Sequence, residues 1–246
     1  MFSFFKKPKE QLLTDFFPFT TDMHSHILPG IDDGSPNVET SIQLIKGLMA
    51  LGVKKSIATP HVISDLYRNT PATIKNALGT LQNELKNQDI QFEVSAAAEY
   101  MLDSYFIELL NEEEKLMTLK DNIILTEFSY ASAPDNYEKI SFAIQMAGYK
   151  PILAHPERYS YFLNDFKTYN RLIDLGFMLQ VNLLSLTGYY GKQTLKAAQY
   201  LLDNGLVSYI GSDMHHERHL GMLTESRTKN TLHQYLSHRN WNDFLE

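Results

Sequence analysis

The sequence predicts an α/β fold in which seven strands alternate with helices and close into a parallel barrel. Three observations carry that expectation: a recurring strand–helix phrase, glycines placed as helix stops, and strands that end in potential metal ligands. The phrase is an amphipathic run, a glycine, a short apolar run and a polar residue. It appears as Leu48 to Leu51, Gly52, Ser56-Ile57-Ala58-Thr59 and His61, and again as Ile144 to Ala147, Gly148, Pro151 to Ala154 and His155. It returns as Leu172 to Leu175, Gly176, Met178 to Val181 and Asn182, then as Leu201 to Asn204, Gly205, Val207 to Ile210, Asp213 and His215. Glycine after a periodic apolar run stops a helix because it accepts the left-handed conformation without a Cβ penalty. Short, nearly continuous apolar runs suit strands covered on both faces. Thr20 to His26, Phe92 to Glu99 and Ile123 to Phe128 supply three further strands. Helices are expected near 36–51, 71–88, 103–117, 134–147, 163–175, 190–204 and 222–237. A doubly wound open sheet is the main rival, but no Gly-rich phosphate loop follows the first strand, so the barrel is preferred.

A chain of 246 residues fits one large domain over 21–246, preceded by an extension over 1–20. The apolar fraction of 43% and charged fraction of 21% are those of a soluble globule. A net charge of -7 gives no basic face for nucleic acid. An anionic substrate would therefore need local cations, either metals or a few arginines. Cysteine is absent, which excludes disulfides, zinc-thiolate sites and thiol nucleophiles. The apolar patch in Met1-Phe2-Ser3-Phe4-Phe5-Lys6-Lys7 is too short for a signal sequence or membrane span and reads as a lead-in or a weak membrane or partner contact. A cytoplasmic enzyme is expected.

His24-Ser25-His26 puts two imidazoles at i and i+2 on a strand, on one side and within reach of one ion. Such pairs also arise by chance, so the strand ends matter more. His61, Glu99, Glu127, His155, Asp213 and His215 each close an apolar strand, whereas Gln180 and Asn182, on the sixth, are poor ligands. Histidines and carboxylates are costly at the mouth of a core unless paired or coordinated, and the C-terminal rim is where barrel active sites lie. Asp32-Asp33-Gly34 reads as a turn whose aspartate can reach that rim, Asp33 in preference to Asp32. The nitrogen and oxygen donors suffice for two or three divalent ions, with manganese, iron or zinc all suited. Arg158 and Arg218, near His155 and His215, are candidates to grip a phosphate; the alternative is a surface salt bridge with Glu157 or Glu217. His216 and His219 read as loop residues without a role. Tyr67, Arg68 and Asn69 are placed to border the substrate mouth.

These residues resemble a known family. Asp22-Met23-His24-Ser25-His26-Ile27-Leu28-Pro29-Gly30-Ile31-Asp32-Asp33-Gly34 is similar to the opening of the PHP (polymerase and histidinol phosphatase) superfamily. The branch is the CpsB/YwqE-like bacterial protein-tyrosine phosphatases of capsule and exopolysaccharide synthesis. Ile57-Ala58-Thr59-Pro60-His61, Tyr67-Arg68-Asn69, Ala98-Glu99, Glu127-Phe128, Ile152 to Arg158 and Gly211 to His215 follow in family order from about residue 20 to 220. The resemblance implies a distorted (β/α)7 barrel with three metal ions, manganese foremost. It implies one ion on His24, His26, Glu99 and Asp213, a second on Glu99, Glu127 and His155, and a third on Asp33, His61 and His215. Arg158 matches the family's phosphate arginine. Arg218 matches the second less closely, because the loop after His215 is shorter, and Ala97-Ala98-Glu99 replaces the family's Gly-Gln-Glu.

The implied reaction is in-line attack of an activated water on phosphotyrosine. Arg158 neutralises the phosphate oxygens, and metal or His61 assists the phenolate leaving group. The implied partner is the phosphotyrosine tail of a bacterial tyrosine autokinase, which would bring the enzyme near the membrane; a homo-oligomer is compatible with the pattern. Rival readings are a histidinol-phosphatase-like enzyme, an amidohydrolase and an inactive module that captures phosphotyrosine tails.

Overall fold

The computed structural model describes residues 19–112, 115–163 and 165–245. The expected extension over 1–20 therefore lies outside the described residues except for Phe19 and Thr20. The chain begins with β1 (Thr21–Ser25), α1 (Val38–Ala50), β2 (Lys55–Ala58), β3 (His61–Val62) and α2 (Pro71–Asn87). It continues through β4 (Glu93–Ala96), β5 (Glu99–Met101), α3 (Ser104–Leu110), β6 (Ile123–Glu127), α4 (Tyr137–Met146) and β7 (Lys150–Ala154). It ends with α5 (Lys167–Asp174), β8 (Met178–Asn182), α6 (Lys192–Asp203), β9 (Tyr209–Gly211), α7 (Glu217–Thr224) and α8 (Ser226–Leu236).

Every strand ladder is parallel, so the architecture is α/β as expected. The ladders form two sheets, β1-β2-β4 and β3-β5-β6-β7-β8-β9, rather than one closed sheet. The division falls where two expected strands are interrupted, at Thr59-Pro60 and at Ala97-Ala98. Proline has no N–H to give a ladder, so a strand breaks there readily. The two segments stay joined across the break, Ala97 N donating to Ala58 O (2.8 Å) and Glu99 N to Pro60 O (3.0 Å). Pairing resumes with His61 opposite Glu99. The first and last strands are also neighbours: Asp213 N donates to His24 O and His26 N to Met214 O, each at 2.8 Å.

Local signals account for several helix boundaries. Asn37 caps α1 by accepting from Thr40 N, and Thr70 and Thr73 form a capping box before Pro71 on α2. Gly52, Gly148, Gly176 and Gly205, the helix stops of the repeated phrase, all have positive φ. Two helices depart from expectation. The one expected over 103–117 ends at Leu110; further on, Leu116 N and Met117 N donate to the phenols of Tyr149 and Tyr100. The one expected over 222–237 starts earlier and is two helices, because Glu225 takes an extended ψ of 135° between α7 and α8.

Among the described residues the core has two parts. A large cluster lies among strands and helices, and a small one gathers Met23, Ile57, Ala97, Leu125, Ile152, Ala154 and Tyr209 with Leu245. On β6, Ile123 and Leu125 belong to the small cluster and Ile124 to the large one. By strand alternation Glu127 continues the small-cluster face. On β8, Met178 packs against the small cluster, which puts Gln180 and Asn182 on the same side. The polar site thus grows from the C-terminal end of the small apolar core.

Candidate metal centre

The centre starts from β1. His24 Nε2 and His26 Nε2 lie 3.2 Å apart, as i, i+2 spacing requires of neighbours on one strand face. Their other ring nitrogens are held by partners. His26 Nδ1 donates to Asp32 Oδ2 (2.7 Å), and His24 Nδ1 donates to Gln180 Oε1 (2.9 Å). Gln180 Nε2 donates in turn to Asn182 Oδ1 (2.8 Å), and Asn182 Nδ2 to Asp213 Oδ2 (2.6 Å). Asp32 also accepts from the backbone N–H of Gly34 and of His61. Glycine at 34 is a packing requirement, since a Cβ there would meet His26 O at 2.1 Å and His26 Cβ at 2.4 Å. At Gly211 a Cβ would meet His24 Cβ at 2.7 Å.

Glu99 is the hub. Its Oε2 lies 3.2 Å from His24 Nε2, 3.3 Å from His26 Nε2 and 3.1 Å from His61 Nδ1, while Oε1 lies 3.2 Å from His155 Nε2. Asp213 Oδ1 is 3.3 Å from His24 Nε2 and 3.4 Å from His215 Nδ1. Glu127 Oε1 lies 2.8 Å from His61 Nδ1. Asp33 Oδ1 faces His61 Nε2 at 3.4 Å and His215 Nε2 at 3.6 Å. Four groups of donor atoms converge: His26 with Asp33, His61 and His215; His24 with His26 and Asp213; His24 with Glu99 and His155; His61 with Glu99 and Glu127. His155 (φ 37°) and Asp213 (φ 51°) occupy left-handed backbone, costly for residues with a Cβ.

Burial opposes every charge here, and the neighbours decide the outcome. Against burial, the histidines hold Glu99 and Asp213 well below the usual carboxylate range, His24 first for each. Burial, reinforced by the charge on Glu99, pushes Glu127 up to about 7. His61 rises to about 9 because Glu127 and Glu99 outweigh burial and His26, whereas burial and His26 bring His215 down to about 3. Both oxygens of Glu99, Glu127 Oε1 and His61 Nδ1 are buried without a hydrogen bond. Unpaired lone pairs are expensive inside a protein, and convergent ones of nitrogen and oxygen type suit a divalent cation. The residues fit such a group.

The family model described as capsular polysaccharide synthesis, CpsB/CapC, matches residues 20–230. The chain belongs to the CpsB/CapC family. Tyrosine-protein phosphatase YwqE of Bacillus subtilis (strain 168) is 30% identical over 194 residues, 79% of this chain and 76% of that protein. Tyrosine-protein phosphatase CpsB of Streptococcus pneumoniae is 30% identical over 202 residues, 79% of this chain and 82% of that protein. A solved structure from work on YwqE and CpsB, described as unique metal-dependent tyrosine phosphatases, superposes with a TM-score of 0.77 at 28% identity, covering 92% of this chain and 89% of that one. Histidinol phosphate phosphatase from Lactococcus lactis, at 11% identity and TM-score 0.51, covers 88% of this chain and 93% of its own, a likeness of fold alone.

In this CpsB/CapC chain a cleft of about 270 Å³ opens over the donor groups, lined by Asp33, His61, Tyr130, His155, Arg158, Asp213, His215, His216 and His219. The nine residues singled out as donors in the sequence, His24, His26, Asp33, His61, Glu99, Glu127, His155, Asp213 and His215, all fall in the convergent groups. Within these groups Glu127 stands with His61 and Glu99, and His155 with His24 and Glu99, so Glu99 is common to both carboxylate-bearing sets the resemblance joins into one. Arg158 donates from Nη1 to Asp213 Oδ2 (2.7 Å), and its guanidinium lies 5.0 Å from the Tyr130 ring and 4.2 Å from the Tyr190 ring. Arg218 does not line the cleft; its guanidinium is 5.7 Å from the Tyr189 ring. Glu157 pairs with neither arginine by an ion pair but is buried, accepting from Asn182 N and Ser185 Oγ. Tyr67 stacks on His61, Arg68 lies over Tyr105, and Asn69 bonds the carbonyls of Ile31 and His61. Sequence reasoning missed the cleft-lining Tyr130, His216 and His219 and the orienting work of Asp32, Gln180 and Asn182. The alternation Met178, Gln180, Asn182 along an otherwise apolar strand was a usable signal for the last two.

Proposed function

We propose that this protein is a metal-dependent protein-tyrosine phosphatase acting on the phosphotyrosine tail of a bacterial tyrosine autokinase that controls polysaccharide synthesis or export. The observation that carries the reading is Glu99: two buried oxygens, neither in a well-formed hydrogen bond, ringed by four imidazole nitrogens at 3.1–3.3 Å, beside an open cleft with Arg158 on its wall. The curated names of the relatives support it. In this reading His24, His26, Asp33, His61, Glu99, Glu127, His155, Asp213 and His215 hold two to three divalent ions, manganese in preference to iron or zinc. The two sheets form a distorted seven-stranded barrel, and 21–246 is one domain. Among the described residues no helix is long and apolar enough to cross a membrane; a cytoplasmic enzyme brought to the membrane by its kinase fits that.

Divalent cations bound there would acidify a water and neutralise phosphate oxygens. The chain's own residues do the rest. Arg158, tied to Asp213 and flanked by two aromatic rings, is oriented before substrate arrives and grips phosphate oxygens with its remaining N–H groups. The Tyr130 ring, 45% exposed, offers an aromatic wall to a phenyl ring. His61, on the cleft wall, would assist the leaving oxygen with a proton only through a ring nitrogen that no ion occupies. Because a phenol has a reference pKa of about 10, tyrosine leaves with little acid assistance, so aryl phosphates turn over faster than alkyl phosphates.

The test is metal analysis by mass spectrometry with hydrolysis of a phosphotyrosine peptide and of histidinol phosphate, before and after chelation. We expect peptide hydrolysis that disappears on chelation and returns with manganese. Hydrolysis that survives exhaustive chelation, or a preference for histidinol phosphate, would refute the reading.

A further inference from the structure

The chain supplies few donors of its own to a phosphate in this cleft. Outside the convergent donor groups, its lining consists of Tyr130, Arg158, His216 and His219. Arg158 already directs Nη1 to Asp213, and Arg218 stands over Tyr189 and is not part of the cleft lining. The two histidines, by contrast, have their ring orientation set by the backbone. The N–H of His219 is shared between His216 O (2.9 Å) and His216 Nδ1 (3.3 Å), which accepts it as the N-cap of α7. His219 Nδ1 accepts the N–H of His215 (3.4 Å). A neutral imidazole that accepts at Nδ1 carries its proton at Nε2 and is there a donor. His219 is 7% exposed, set edge-on to Tyr189 (5.5 Å, 83°) and Tyr190 (6.3 Å, 80°). His216 is exposed, with its ring 4.0 Å from that of His219. One ring is thus fixed and the other rests against it on the cleft wall.

We propose that His216 donates a hydrogen bond from Nε2 to a non-bridging phosphate oxygen of the substrate, standing where a second arginine was expected. His219 is the positioning residue that holds it. The proposal rests on the phosphatase reading for its substrate and on the local geometry for its donor.

The test uses the metal-loaded protein, with calorimetric binding of inorganic phosphate, turnover of p-nitrophenyl phosphate and metal content measured side by side. His216→Ala is expected to raise the phosphate Kd and the aryl phosphate KM roughly tenfold, the size of one hydrogen bond to a charged oxygen. Metal content stays at the parent value and kcat changes less than KM. His216→Gln, with an N–H on a long arm, restores most of the loss. His216→Asn, which can cap α7 through its Oδ1 but is too short to reach the phosphate, does not. Rescue by Asn and not by Gln would reduce His216 to a helix cap and overturn the proposal. An unchanged Kd in His216→Ala, or the tenfold loss appearing in Arg218→Ala instead, would overturn it too. If the parent binds phosphate through His216 yet hydrolyses no aryl phosphate, the phosphatase reading fails and the contact stands.

Discussion

At the scale of single residues, the imidazoles of the centre are aimed by side chains outside the donor groups. Gln180 holds His24 Nδ1 and passes the constraint through Asn182 to Asp213. Partners of this kind influence metal affinity by roughly 10–100-fold. Gln180→Leu should therefore weaken metal binding within that range while leaving the fold intact, as a metal titration followed by calorimetry would show. Asp22 offers a second test. Burial pushes its carboxyl up to about 6, against hydrogen bonds from Ser212 Oγ and N. A folded value above the unfolded one of 3.8 means that folding favours the neutral form. That contribution is complete below about 3.8 and is lost as pH rises through about 6. Asp22→Asn keeps an acceptor and gains a donor without the charge. In chelator it should exceed the parent's stability above pH 6 by on the order of 3 kcal/mol and match it near pH 4, measured by denaturant unfolding.

At the scale of elements, the donors depend on where strands stop and how closely they approach. The break at Thr59-Pro60 and its counterpart at Ala97-Ala98 bring His61 opposite Glu99. β9 ends at Gly211, directly against His24. Gly211→Ala puts a methyl 2.7 Å from His24 Cβ and 2.9 Å from Gln180 Nε2. We expect a loss of roughly 1–3 kcal/mol, the usual cost of overpacking, together with weaker metal binding. A variant with unaltered melting temperature and metal affinity would contradict the close approach. The strand ends were legible in the sequence because polar residues closing apolar runs stand out locally. The end of α3 at Leu110 was not legible: 103–117 carries a helical pattern, and the phenols that take the N–H groups of Leu116 and Met117 belong to Tyr149 and Tyr100, remote in sequence.

At the scale of the whole molecule, the C-terminal segment clasps the strands at the end away from the donors. Asn242 Nδ2 donates to Thr21 O (2.9 Å) and Ile210 O (2.8 Å), and its Oδ1 accepts from Ile210 N (3.2 Å). Leu245 completes the small core beneath the centre. Asn242→Ala leaves three buried backbone groups without their partner, so at about 1 kcal/mol or more for each it should cost at least about 3 kcal/mol and lower the melting temperature of the metal-free protein; no measurable change would show the clasp to be ornamental. The sequence by itself determined the α/β class, the alternation of strands and helices, and the candidate donors, eight on or just after strands and Asp33 in a turn. These follow from periodicity, helix stops and the cost of polar groups on apolar strands, all of which act over a few residues. Only the tertiary structure decided that the ladders part into two sheets, that Glu127 faces His61, that Asp32 orients His26 while Asp33 faces His61 and His215, and that His216 rather than Arg218 lines the cleft. Those outcomes depend on ångström-scale distances between segments far apart in the chain, and short-range patterns in a sequence carry no such distances.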